Sequence, residues 1–147
     1  LWVATVIGIL AIGLLVAGCG DEDSEASTVP VATFVKKANA ICTARGKEIT
    51  TASSQAWDEK GDLHAIEIEL IGSTMVPALE AEVDEIEALG VPSTGSNHVE
   101  ATLGAIEEVA ELGDTDPEKF SRTVEPFTKA ENMAKKADLD ACPLGSG

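Results

Sequence analysis

From Val31 to Ala137 the apolar residues recur at three- and four-residue intervals, and no run alternates β-branched with polar residues over a strand's length. A period of 3.6 puts such residues along one side of a helix, so this chain is restricted to packing helices on helices. The first pattern covers Val31–Ala56, with Phe34, Ala38, Ile41, Cys42, Ile49, Ala52 and Ala56 on one stripe. A second runs from Asp62 to Leu89 through Ile68, Ile71, Met75, Leu79, Val83, Ile86 and Leu89, and Asp62 after Gly61 stands where an N-cap belongs. The stretch Gly90-Val91-Pro92-Ser93-Thr94-Gly95 stops it. A third pattern, Asn97–Leu112, uses Val99, Leu103, Ile106, Val109 and Ala110, with Gly113 as its expected end. The fourth opens on Asp116 as N-cap, Pro117 in the first helical position and Glu118 near the positive end of the dipole. Its stripe is Phe120, Val124, Phe127, Ala130, Ala134 and Ala137.

Four amphipathic helices with short connections predict an all-α domain over residues 30–147, an antiparallel four-helix bundle. Pro77 cannot donate to the carbonyl of Ser73, nor Pro126 to that of Arg122, so each is expected to kink or break its helix. Alanine fills many inward positions and aromatic residues make up only 3%, so the core is expected to be thin. At about 25 cal/mol per Å² of buried apolar surface, such a core is close to marginal. The net charge of −16 argues against nucleic-acid binding, which draws its affinity from clustered Lys and Arg.

The start of the chain has a different character. Leu1–Ala17 is apolar and uncharged, and Gly18-Cys19-Gly20 then leads into Asp21-Glu22-Asp23. A membrane-crossing helix needs about 20 apolar residues, for which this run is borderline. The run fits a secretory h-region at least as well, with an uncleaved membrane anchor as the alternative. The segment Val16-Ala17-Gly18-Cys19 resembles the lipobox of bacterial lipoproteins, an aliphatic residue and two small ones before a cysteine. That resemblance implies cleavage after Gly18, diacylation of Cys19, and a lipid anchor on the extracytoplasmic face of the cell membrane. Residues 1–18 would then be a signal peptide whose basic n-region lies upstream, since no Lys or Arg precedes the apolar run. Residues 19–29 would be the lipidated cysteine and an acidic, flexible tether. Its negative charge would hold the domain off anionic headgroups.

With Cys19 assigned to lipid by that resemblance, Cys42 and Cys142 remain, an even count in an exported domain, and a disulfide between them is expected. Closing a loop of 100 residues stabilises by about 4.7 kcal/mol in the chain-entropy model. Cys42 lies well inside the first helix, so Leu139–Cys142 must fold back along it. No C-x-x-C or neighbouring His accompanies either cysteine, so no metal is expected there, and the absence of C-x-x-C-H excludes a c-type haem.

Other chemistry has thin support. His64 and His98 have glycine three residues before them, not the Glu of a Glu-x-x-His metal bundle, and no G-x-S-x-G occurs. Both histidines read as ordinary polar residues near helix ends. Asp114, Asp116, Glu118 and Glu125 match four positions of a calcium loop, but Lys119 stands where its turn needs glycine. The acids Glu80, Glu82, Asp84, Glu85 and Glu87 are spread around one helix and read as a solvated face. Trp57 is expected to cap the end of the bundle, with contact to a partner as the alternative.

Within the domain, Lys37-Ala38-Asn39-Ala40-Ile41-Cys42, Val76-Pro77-Ala78-Leu79, Leu89-Gly90-Val91-Pro92 and the late Cys142 resemble small helical exported lipoproteins of actinobacteria. The resemblance implies a disulfide-bridged helical fold and carries no activity with it. The expectation is a non-enzymatic, cofactor-free protein that presents an interaction surface to an envelope partner. The alternative is a module for a small ligand or cation, with its site between helices near Pro77.

Overall fold

The computed structural model describes residues 28–58 and 61–142, most of them helical. The elements are α1 (Val31–Trp57), α2 (Leu63–Leu70), α3 (Val76–Glu87), α4 (Ser96–Thr115), α5 (Pro117–Arg122) and α6 (Glu125–Lys136). A π-helical turn, Ile71–Met75, joins α2 to α3 without a break. The lipobox-like segment with Cys19 lies outside the described residues. Among the described residues, no helix is long and apolar enough to cross a membrane.

Local chemistry sets most of the boundaries. The Asp62 carboxylate accepts from the backbone N–H of His64 at 2.9 Å and of Ala65 at 3.3 Å, capping α2. Asp116 does the same for Lys119 at 3.0 Å, with Pro117 opening α5. Gly95, at φ +76°, makes the left-handed turn into α4. Ahead of α1, Val29 donates to the Val91 carbonyl and accepts from the Ser93 N–H, which pins the chain beside the α3–α4 connection.

The two prolines act differently. Before Pro77 the helix widens into the π turn, in which the Val76 N–H reaches back five residues to Ile71. At Pro126 the helix breaks outright. Thr123 is extended and α6 restarts at Glu125, which puts Pro126 in a first turn where its missing N–H costs nothing. The expected fourth helix is therefore two segments. Val124 falls in the gap and is 73% exposed, not buried as its place in the stripe implied.

Inside, α1 packs on α3, α3 on α4, and α4 on α6. Phe34, Ile71, Leu79, Ile86, Ile106, Val109, Phe120 and Leu139 form the centre, and Ala38, Ala105, Ala110, Ala130 and Ala134 let the backbones approach. Phe120 and Phe127 meet edge to face, centroids 4.9 Å apart, across the α5–α6 break. The buried Thr102 hydroxyl donates to the His98 carbonyl four residues back.

Two further expectations are corrected. Gly113 does not end its helix, because α4 continues through it to Thr115. A Cβ there would lie 2.6 Å from Val76 Cγ2 and 3.0 Å from the Phe120 ring, so glycine permits close approach of three segments. Ile49, Ala52 and Ala56 are only half-buried. They fall where α1 lies over α2, which has no buried residue of its own.

Candidate functional site

The densest chemistry is where the end of the described chain returns to α1. After α6, Asp138 adopts a left-handed conformation at φ +58°. The N–H of Leu139 then reaches the Ala134 carbonyl at 2.9 Å and that of Asp138 the Lys135 carbonyl at 3.4 Å, the paired bonds of a Schellman turn. Leu139 is fully buried and anchors the turn. On α1 the Asn39 side chain clamps the same segment from both sides, its Nδ2 donating to the Asp138 carbonyl at 2.9 Å and its Oδ1 accepting from the Ala141 N–H at 2.7 Å. This delivers Cys142 to Cys42, one turn beyond Asn39. The two sulfurs are at disulfide-bonding distance and the Cα atoms are 4.8 Å apart.

Beside this pair sits Glu82 of α3, only 3% exposed. A Glu82 carboxylate oxygen and both sulfurs lie within 4.8 Å of one another. Glu82 Oε1 has no hydrogen-bond partner among the described residues. Burial pushes the carboxyl up to about 7, with nearby Arg45 pulling it down and Glu85 adding to the rise. Arg45, one turn past Cys42, pairs with Glu48 at 2.8 Å and with Glu85, and its own Nε is buried without a partner among the described residues. Its guanidinium is thus shared between two carboxylates at the edge of the cluster, and both hold it above its ordinary value.

Reading the five acids of the second helix as one solvated face is therefore wrong for Glu82. Successive helical residues turn by about 100°, which puts Glu82 between Ala78 and Ile86 on the buried arc. Glu85 turns toward Arg45. Glu80 and Asp84 face α4 instead, where with Glu107, Glu111 and Asp114 they line an open acidic groove of about 600 Å³. A smaller cleft of about 240 Å³ lies at the other end of α3 against Phe34, Val91, Pro92 and Leu103. Pro77 lines neither.

The remaining residues stay apart from the cluster. His64 Nε2 meets Glu118 Oε1 at 2.9 Å and so ties α2 to α5, while Arg122 takes the other oxygen of Glu118 at 2.6 Å. Asp116 is occupied as a cap, so two members of the calcium-like set are engaged locally. His98 is exposed in the first turn of α4. Trp57 ends α1 at 49% exposure and does not seal the end of the domain, and Leu63 nearby is 59% exposed. Sequence reasoning paired Cys42 with Cys142 but missed Glu82 and Asn39. The phase of Glu82 on the apolar stripe was a usable signal, whereas nothing local marks Asn39 as a clamp. No family model, curated protein or solved structure matches this chain.

Proposed function

We propose that this chain is a non-enzymatic helical protein held at the extracytoplasmic face of the cell membrane by lipid on Cys19, where it presents an interaction surface to an envelope partner. The supporting observation is the pairing of Cys42 with Cys142. A disulfide across 100 residues suits an oxidising compartment, and the pairing leaves Cys19, in its lipobox-like setting, as the third cysteine of the chain. We read the domain as an antiparallel four-helix bundle with α1, α2–α3, α4 and α5–α6 as its four arms. Contacts of α1 with α3, α3 with α4 and α4 with α6 support that order. The exposed Trp57 and Leu63 give the end away from the disulfide an apolar contact surface of the kind partners use.

Intact mass of the protein extracted from cell membranes in mild detergent tests this. The expected species begins at Cys19, carries diacylglycerol, and is two hydrogens lighter than the reduced chain. A mass retaining residues 1–18 overturns the anchor. A co-purifying chain lost on Trp57→Ala supports the contact surface, and one retained by that variant moves the surface elsewhere.

A further inference from the structure

We propose that Cys42, Cys142 and Glu82 form a redox-gated metal site, which binds a thiophilic divalent cation such as Zn2+ when the disulfide is reduced. Three donors from three separate chain segments lie within 4.8 Å of one another. Zinc takes thiolate at about 2.3 Å and carboxylate at about 2.0–2.2 Å, so a cation centred among these atoms needs side-chain rotation and not helix movement. The sulfurs must part to about 3.8 Å, the separation of two ligands on a tetrahedral centre. Cutting the S–S bond does not free the segment that carries Cys142, because Asn39 and the buried Leu139 still hold it.

Charge supplies the drive. The reduced cluster holds two thiols and a carboxyl in a buried setting, and Glu82 Oε1 has no partner among the described residues. The nearest guanidinium, Arg45, is already shared by Glu48 and Glu85. Without a cation all three groups must stay protonated, since three buried anions have too little compensation. A dication lets them ionise together, releases their protons and leaves the cluster at −1, with a fourth position for solvent. Oxidation reverses this. A disulfide-bearing oxidant takes two electrons from the thiolates and two protons from solvent to become two thiols, the Cys42–Cys142 bond forms, the cation leaves, and Glu82 takes up a proton from solvent.

This inference goes beyond the envelope reading, in which the pair is oxidised, and stands or falls apart from the lipid on Cys19. The test uses the full chain carrying Cys19→Ser, so that only two thiols exist. In mild detergent, a phosphine and one water convert the disulfide to two thiols and phosphine oxide. Anaerobic titration with Co2+, then displacement by Zn2+, is followed by near-ultraviolet absorption, with far-ultraviolet circular dichroism in parallel. A thiolate-to-cobalt band saturating at one equivalent, absent from the oxidised chain, is expected. Glu82→Gln should weaken binding about tenfold or more, the range in which even outer-shell partners register. Equal affinity in Glu82→Gln overturns the site, as does a helical reduced chain without the band. If reduction unfolds the chain, Zn2+ must restore its helix signal, and failure to do so also overturns it.

Discussion

Along α1, the turns from Phe34 to Cys42 bury one face fully, with Phe34, Ala38 and Cys42 inside, whereas those from Ile49 to Trp57 bury no residue fully. The first stretch is tied to the end of the chain by Asn39 and the cysteine pair, on a helix that packs against α3. The open turns meet α2, which buries none of its residues, and are held to a polar style of structure. Hydroxyls of Thr50, Thr51 and Ser54 bond to carbonyls four residues back on their own helix. Across that end, α2 and α5 are linked by the exposed His64–Glu118 pair, a contact that solvent weakens. Stability is concentrated at one end, and a surface free for contact is left at the other.

The comparison breaks most sharply at the cysteines. Replacing Cys42 and Cys142 together by serine should cost about 2–5 kcal/mol in denaturant unfolding, the usual range for losing a native disulfide in a small domain. Glu82 supplies the next effect, and it depends on pH. Its carboxyl rises from 4.5 to about 7 on folding, so the folded state binds the proton more tightly. The resulting stability is complete below pH 4.5 and is lost as pH rises through about 7. The loss is about 3 kcal/mol at one pKa unit per 1.36 kcal/mol. The difference in stability between wild type and Glu82→Gln, measured from pH 4 to pH 8, should change by that amount, while a flat difference would show that Glu82 does not carry the effect.

Within α4 two glycines sharpen the same contrast between crowded and open positions. Gly113→Ala drives a methyl into Val76 and Phe120 and should destabilise by about 1–3 kcal/mol. Gly104→Ala meets no atom of another described segment within 4 Å and should stabilise by about 0.5–1 kcal/mol through helix propensity. Thermal unfolding of the two variants should move in opposite directions. The smallest effect belongs to the open end, where Trp57→Ala should change stability by no more than about 0.5 kcal/mol. A larger loss would mean that Trp57 seals the fold after all.

Helices, caps and the cysteine pairing were legible in the chain because each follows from residues close together or from counting. Asp62 and Asp116 cap where their spacing to the apolar stripe requires, and the stop at Gly90–Gly95 follows from backbone geometry. Val124 and Gly113 misled for opposite reasons. Val124 sits in phase with a helix that Pro126 interrupts, so its stripe has no continuous cylinder to lie on. Gly113 carries a stop signal, yet it lies inside α4, where Val76 and Phe120 leave no room for a Cβ. Glu82 was hidden by its company, four other acids within eight residues of α3 that do face water or Arg45.

Periodicity, capping residues and prolines suffice for an all-helical chain with its segments in these places, because hydrogen bonds and dihedral limits act within a few residues. Which carboxylate is buried against the cysteines, which glycine is a point of contact and which half of α1 buries its apolar face depend on helices from distant parts of the chain meeting in one rotational phase. That phase is set by contacts between segments far apart in the chain, where Asn39 meets Asp138 and Val76 meets Gly113, and no local rule encodes it.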